Sequence, residues 1–419
     1  MDPAGEAHTP AVRFLAAVLL AGLTAGATGW FFVHLLHVLE RLAYGMGDGT
    51  FLDAVVSTDP RRRVAVLALA GVLGGVSWFL IRRHGRGIVS VADAVEGWRM
   101  PIVTTFLHST TQVVIVGLGA SIGREVAPRE MSAAWAGLIS DRLGLSREDR
   151  RTIVACGAGA GLASVYSIPL SGAVFALEVL LVRLGPRTVW PALAVSGIAV
   201  LVADGWQRPE PFYTVPELHP TASLLVWAVI AGPLLGVLGH LFHRLVHRFE
   251  IARPTGAGLL VTMPLAFTAV GLVSVWVPSV LGNGQSTAQT AFDATLLGPL
   301  AVVVLARAVA TLLTIRSGAW GGTLTPGIAL GAGLGALGGL AWSLVWPGTQ
   351  IAAFAFIGAA AFLGTSMRAP FTALVLVLEF TQQGVQVLVP ALLALAGAVA
   401  GSAWIEAHLS AASEHHDTP

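Results

Sequence analysis

Apolar runs close to the thickness of a bilayer are the feature this chain must accommodate before any other. Phe14 to Val33, Val64 to Ile81, Ala222 to Phe242, Ala257 to Val277 and Gly298 to Ile315 each approach the ~20 residues that a spanning helix needs. Inside a bilayer every backbone N–H and C=O must find its partner within the protein, so such runs fold as helices. Composition agrees: 55% of the residues are hydrophobic and 11% charged, against roughly 25% charged in a soluble domain. The chain is expected to be an all-α integral membrane protein. Its opening, "MDPAGEAHTPAVRF", lacks the basic region of a cleavable signal, so the first run is expected to be retained as a membrane segment. A net charge of +1 gives no reason to expect a nucleic-acid partner. The single cysteine, Cys156, excludes an intramolecular disulfide and a Cys-based metal cluster.

Two stretches break the pattern. Met131 to Ser140 and Ile351 to Phe380 read as short or interrupted pieces, divided by Gly, Pro and charge. Broken helices at membrane depth are tolerated only where protein or a water-filled path satisfies the freed backbone groups, which suggests a transport route.

The chain also matches itself. "AGLTAGATGW" from Ala21 and "AGPLLGVLGH" from Ala231 share their Ala-Gly and Gly positions, and His37 and Glu40 recur as His247 and Glu250. "GAGAGLASVYSIPLSGAVFALE" from Gly157 matches "GAAAFLGTSMRAPFTALVLVLE" from Gly358, setting Pro169 on Pro370 and Glu178 on Glu379. Between these blocks, "GREVAP" (Gly123 to Pro128) lines up with "GGTLTP" (Gly321 to Pro326). The expected organisation is a first membrane repeat over 1–203, a polar Pro-rich linker over 204–221, a second repeat over 222–406 and a disordered tail over 407–419. Duplicated membrane halves of this kind carry their binding site near the midplane, at the repeat interface.

In each half a Gly-rich turn runs into a proline and then a small-residue helix. Proline suits a first helical turn because its missing N–H would be unpaired there anyway. The spacing therefore predicts helix N-termini at Pro128 and Pro326, each presenting N–H groups and the positive end of a dipole. If the halves face each other, both ends serve one anion. Glu125 is then a tethered competitor for that anion, released by protonation or displacement. Its repeat partner is Thr323, so only one half carries the acid. The competing reading is that Glu125 caps a helix and pairs with Arg124 or Arg129.

On these residues the chain resembles the CLC family of chloride channels and proton/chloride antiporters, prokaryotic in type, from about Phe14 to Glu406. "GREVAP" resembles the family's G-R-E-G-P motif and "GGTLTP" its G-x-F-x-P motif. The resemblance implies a homodimer of subunits with two inverted-topology repeats of tilted and broken helices, placed in a bacterial inner membrane. It implies Glu125 as the gating glutamate. The anion-binding set is Ser90, Gly123, Arg124 and Val126 in the first half, and Gly322, Thr323, Leu324 and Thr325 in the second. Several positions depart from the family pattern. Val126 and Ala127 replace Gly and Pro, Leu324 replaces Phe, and the G-S-G-I-P motif survives only as "VSVAD" around Ser90. None of Tyr44, Tyr166 and Tyr213 stands where the central pore tyrosine belongs. The family's internal proton glutamate is replaced by Val179, which follows Glu178.

The expected function is chloride transport, passive or weakly proton-coupled, with no enzymatic activity and no cofactor beyond the transported ion and protons. Two alternatives stay open: proton-coupled antiport using Glu178, and a membrane scaffold with a degenerate pore. The fluoride-selective branch fits less well, because its first motif is not recognisable. Glu178 itself is expected to share a structural duty with Glu379. His240, His243 and His247 fall on one helical face, where an interfacial amphipathic helix fits better than a metal site. Ser146, in "DRLGLSREDRR", is expected to start a helix. His415 and His416 are expected in the tail. The glycines of "GAGLGALGG" (Gly331 to Gly339) read as close helix packing, and no phosphate loop or catalytic triad is present.

Overall fold

The computed structural model describes residues 9–47, 49–205 and 211–414. Among these the regular structure is helical. In chain order the helices are α1 (Ala11–Tyr44), α2 (Phe51–Ser57), α3 (Pro60–His84), α4 (Val91–Val95), α5 (Ile102–Gly117), α6 (Val126–Leu143), α7 (Arg147–Tyr166), α8 (Pro169–Phe175), α9 (Pro186–Asp204), α10 (Ala222–Ile251), α11 (Leu259–Val273), α12 (Gln285–Phe292), α13 (Leu297–Arg316), α14 (Leu324–Trp342), α15 (Ile351–Ser366), α16 (Pro370–Thr381) and α17 (Leu388–Glu414). Among the described residues, eight helical segments are long and apolar enough to cross a membrane. Their outward residues, such as Leu19 and Trp30 on α1 or Leu234 on α10, are exposed, as lipid-facing side chains must be. The protein is a multi-pass membrane protein.

Two compact units emerge. The first gathers the described residues of Met1–Leu39, Val76–Gly117 and Arg124–Glu210. Here α7 packs on α6, α8 and α9, around a core of small side chains such as Ala133, Ala136, Ala155, Ala158 and Ala192. Such residues let backbones approach closely, which is how helices associate where no hydrophobic effect drives them together. A Cβ on Gly157 would stand 2.6 Å from that of Ala136, so the contact admits nothing larger than hydrogen. The second unit gathers the described residues of Glu40–Gly75, Leu118–Gly123 and Pro211–Pro419. In it α10 packs on α17, and α14 on α15. The glycine run of α14 does there what its composition predicts: a Cβ on Gly358 would meet the Gly335 Cα at 2.6 Å.

Several local expectations hold. Ser146 is the N-cap of α7, its hydroxyl accepting the Asp149 N–H at 3.2 Å. The 351–380 stretch breaks into α15 and α16. The Met131–Ser140 stretch does not break. It lies inside the continuous 18-residue α6: its one glycine, Gly137, weakens a helix without ending it, and the nearby Pro128 falls in the first turn, where proline is tolerated. Residues 211–221 of the linker are non-helical, and the Tyr213 N–H donates to the Phe380 carbonyl at 3.0 Å. α17 runs to Glu414, so 407–414 are helical where a disordered tail was expected; apolar character ends before helix propensity does. His415 and His416 lie outside the described residues.

The duplication is visible in the backbone. Among the described residues, the non-glycine positions with positive φ are Ser167 (58°), Val182 (49°), Arg368 (55°) and Gln382 (49°). Ser167 and Arg368 both stand just before the short helix that opens on a proline, at Pro169 and Pro370. Val182 and Gln382 both terminate it. The prolines are 201 positions apart, but these terminating residues are 200 apart. The first copy thus holds one residue more. It is absorbed by a π-helical turn, Ala176–Leu181, the usual form of a single-residue insertion in a helix.

Candidate functional site

Leu118–Gly123, which precede Arg124 and Glu125 in the chain, belong to the second unit and are fixed within it. Gly123 and Gly322 face each other in a two-bond antiparallel bridge: the Gly123 N–H donates to Gly322 O at 2.8 Å, and the Gly322 N–H to Gly123 O at 2.9 Å. These glycines belong to the two motifs that the internal duplication aligns. Further back, the Tyr44 hydroxyl donates to Leu118 O at 2.8 Å, and the Gly282 N–H donates to Gly119 O at 3.0 Å. Gly119 has φ 98°, a region costly for any residue with a Cβ. The Gly282 segment is itself held by Arg307, fully buried, whose Nη1 donates to Val280 O and Gly282 O, each at 2.9 Å. Arg63, also buried, donates from Nη1 to Ser274 O at 2.6 Å. Sequence reasoning missed both arginines, since their acceptors are ordinary carbonyls that leave no mark in a pattern.

Helix α6 begins at Val126 and α14 at Leu324, each two residues ahead of the proline that was expected to start it. The prolines occupy the third helical position, still within the turn whose N–H groups have no acceptor inside the helix. Glu125 and Thr323 occupy equivalent N-cap positions, and neither side chain makes a capping hydrogen bond. Glu125 therefore sits at the cap position without capping α6 through its side chain, and it is completely buried. Arg129 Nε donates to the Glu125 carbonyl at 3.0 Å, and its guanidinium lies 5.0 Å from the centroid of Phe175. Arg124 lies 5.0 Å from the centroid of the Tyr166 ring, with its Nε buried and without a hydrogen-bond partner. Tyr166 occupies no family tyrosine position, yet it covers the arginine of the opening motif. Its place at the end of α7, 42 residues on from Arg124, gave sequence reasoning no signal.

The remaining predicted positions fall elsewhere. Ser90 is exposed and caps α4; its hydroxyl donates to Asp93 Oδ2 at 2.7 Å and accepts the Asp93 N–H at 3.1 Å. Anion coordination by Ser90 would have to displace that carboxylate. Glu178 and Val179, both half-buried, lie on the π-helical turn. Counted from Pro169, Glu178 matches Glu379; counted back from Val182, Val179 does. The shared duty expected of the two glutamates therefore loses its register across the inserted residue.

His240, His243, Arg244, His247, Arg368 and Glu406 line one cavity of about 390 Å³. His240 Nδ1 lies 3.3 Å from Ser402 Oγ, and His243 Nδ1 donates to Ser366 O at 2.9 Å. These two histidines tie α10 to α17 and to the end of α15. Among the described residues there is no group of three or more His, Cys, Asp or Glu placed to hold a metal ion.

The profile of the family described as "Voltage gated chloride channel" matches residues 66–403. The chain is 29% identical over 399 residues to a "Voltage-gated ClC-type chloride channel ClcB" of Escherichia coli O17:K52:H18, covering 91% of this chain and 93% of that protein. Its backbone is similar to the crystal structure of a slow cyanobacterial Cl−/H+ antiporter, with a TM-score of 0.80 and 21% identity, covering 94% of this chain and 95% of that one. It is also similar to a CLC-type fluoride/proton antiporter, with a TM-score of 0.66 and 21% identity, covering 92% and 94%. At these identities the likeness to the solved structures is one of fold.

Proposed function

Because the chain belongs to the voltage gated chloride channel family, we propose that it carries chloride across a bacterial inner membrane past a protonatable gate, Glu125. Membership of that family makes it an anion channel or transporter and not an enzyme. In this reading the anion is taken by backbone N–H groups at the N-termini of α6 and α14. Such groups bind an anion by oriented dipoles, without a full positive charge that would trap it. The observation that carries the reading is the Gly123–Gly322 bridge, which joins the two motif loops directly ahead of Arg124 and Thr323. The complete burial of Glu125 at the start of α6 supports its role as gate. A carboxylate inside a membrane protein is costly to keep and is a functional candidate for that reason. Gly123, Arg124 and Val126 flank the gate in this reading, and Gly322, Thr323, Leu324 and Thr325 form the opposing loop. Ser90 contributes only if Asp93 releases its hydroxyl.

Val179, at the internal proton position, favours passive or weakly coupled flux. Proton-coupled antiport remains the second reading, because Glu178 lies on a π-helical turn, a feature that recurs at functional sites. Similar proteins divide the same way: the E. coli relative is called a channel, and the solved cyanobacterial neighbour an antiporter. A homodimer, with one pathway per subunit, completes the proposal.

The test uses purified protein in liposomes under a chloride gradient, recording chloride and proton movement together, with and without an uncoupler. Chloride efflux without uphill proton movement supports the channel reading, and protons driven in fixed ratio support antiport. Glu125→Gln should make efflux independent of pH. Absence of chloride flux in the wild-type protein would leave only a scaffold.

A further inference from the structure

Two helices of the second unit, α10 and α17, run in parallel toward a charged cavity that the transport reading does not use. Gly232 packs on Ala394, Gly236 on Ala398 and His240 on Ser402. The constant offset of 162 residues keeps the pair in register and brings their C-terminal ends together. Both helices belong to segments able to span a membrane, Ala222–Ile251 and Val385–Leu409. Toward those ends, His240, His243, Arg244 and His247 of α10, Arg368 from the turn after α15 and Glu406 of α17 line the cavity of about 390 Å³. Two guanidiniums thus share it with one carboxylate, so its lining is positive before any histidine is protonated.

We propose that this cavity binds an anionic phosphate group, gripped by Arg244, Arg368 and a doubly protonated His243. Arg244 is exposed, and no acceptor among the described residues engages it. Arg368 spends Nη2 on Glu406 Oε1 at 3.0 Å, which leaves the rest of its fork of donors. Its backbone has φ 55°, a region costly for a residue with a Cβ. The fold imposes that conformation, since Ser167 shares it in the first copy, but it does not impose the cation. His243 Nδ1 donates to Ser366 O at 2.9 Å, so the neutral ring has only a lone pair at Nε2. A proton taken there makes His243 a second donor, and a bound anion favours that charged form. Such cations hold phosphate oxygens through short, charge-assisted bonds. His240, on the same wall, is 2% exposed, and its Nε2 is buried without a hydrogen-bond partner, an unmet bond that a polar ligand would explain.

The groups around His243 come from every element packed there. On α10 they are His240, Arg244, His247 and Glu250, the last paired with Arg253 at 3.0 Å. Arg368 comes from the turn, Ser366 O from the end of α15, and Glu406 from α17. His408 of α17 is bonded instead to Trp404 O at 2.9 Å. Only Glu406 opposes an anion in the cavity itself. Its place favours an acidic phospholipid as the carrier of the phosphate. Leu241 and Leu245 on α10 and Trp404 on α17 are exposed, as side chains facing lipid and its interface are, and basic pockets between membrane helices take acidic headgroups. Cations that snorkel singly to water would give no reason for a buried histidine among them.

The test follows the thermal midpoint of the purified protein in an uncharged detergent as phosphatidylglycerol, phosphatidylcholine or inorganic phosphate is added. Phosphatidylglycerol should raise the midpoint. Phosphatidylcholine should not, because its choline cation meets a positive lining. A rise with inorganic phosphate alone supports the same site with a free anion as its ligand, and no rise with either anion overturns the proposal. Arg244→Gln has no protein bond to lose and should raise the half-saturating concentration about tenfold, whereas Arg248→Gln, outside the cavity, should leave it unchanged. Glu406→Gln should lower it several-fold, since the one opposing charge is gone and Arg368 is released. Either cavity variant matching the wild type overturns the proposal. Binding should also be tighter at about pH 6 than at about pH 8, across the range where histidine takes its second proton. His243→Asn keeps a donor for Ser366 O and should remove most of that difference; a difference left intact overturns the proposal.

Discussion

Replacing Gly321 by alanine tests whether the paired loops position the gate. The added Cβ would stand 2.9 Å from the Gly123 carbonyl oxygen and 2.9 Å from the Ile122 side chain. Ile122 is fully buried and has nowhere to turn, so the backbone must yield by about 0.5 Å to restore ordinary contact. That displacement stretches the Gly322-to-Gly123 bond from 2.9 Å past the useful N–H···O range. One or both bridge bonds are weakened, at about 0.5–1.5 kcal/mol each, and overpacking adds about 1–3 kcal/mol. If only about 1.4 kcal/mol of this reaches the barrier for ion passage, efflux falls about tenfold. The assay pairs chloride efflux with the thermal midpoint in detergent. Gly298→Ala is the control, since its Cβ would meet nothing within 4 Å and alanine favours the helix. Gly321→Ala should lower both readouts, and Gly298→Ala neither. If the two variants behave alike, the bridge does not position the gate and the reasoning is wrong.

Other perturbations probe the rest of the fold. Ser146→Ala removes the oxygen that accepts the Asp149 N–H at the start of α7 and should cost about 0.5–2 kcal/mol, read as a lower midpoint in detergent. Thr50 and Asp53 form a reciprocal cap on α2, and hydrogen bonds from the Thr50 hydroxyl and N–H hold the Asp53 carboxyl below its ordinary value of 3.8. A depressed carboxylate stabilises the folded protein above that value, and its contribution is lost as pH falls through the lower folded one. Thr50→Val should return Asp53 upward in an NMR titration and reduce the acid sensitivity of α2.

What could be read from the sequence was what repeats or what is local. The apolar runs, the cap at Ser146 and the break between α15 and α16 follow from composition and neighbouring residues. The two motifs were legible because the chain carries them twice. Their helices start at Val126 and Leu324 instead of at the prolines because proline is tolerated anywhere in a first turn, so it marks the turn and not the residue. Arg307, Arg63 and Tyr166 were illegible for another reason: each meets a partner far along the chain, and nothing near it in sequence changes. The buried group of Trp78, His108, Gln112 and Glu130, joined by the Trp78 Nε1–His108 Nδ1 and Gln112 Nε2–Glu130 Oε2 hydrogen bonds and the His108–Glu130 contact at 3.4 Å, is the extreme case. Its members come from three helices, and each alone reads as an ordinary residue of an apolar span.

The π-helical turn has a consequence for how the two halves of a duplicated protein diverge. Copies of one ancestral segment begin with the same side chains on the same faces, and a substitution useful in one is constrained by the packing both inherited. Within the π-helical turn each residue advances by less than the ~100° of an α-helix, so the positions of Ala176–Leu181 change their facing relative to α16 until the left-handed Val182 ends the turn. Glu178 and Val179 have thereby been released from the geometry that Glu379 still obeys. A single codon is enough to make the copies chemically unequal, without lengthening a loop or disturbing the prolines on which both were built.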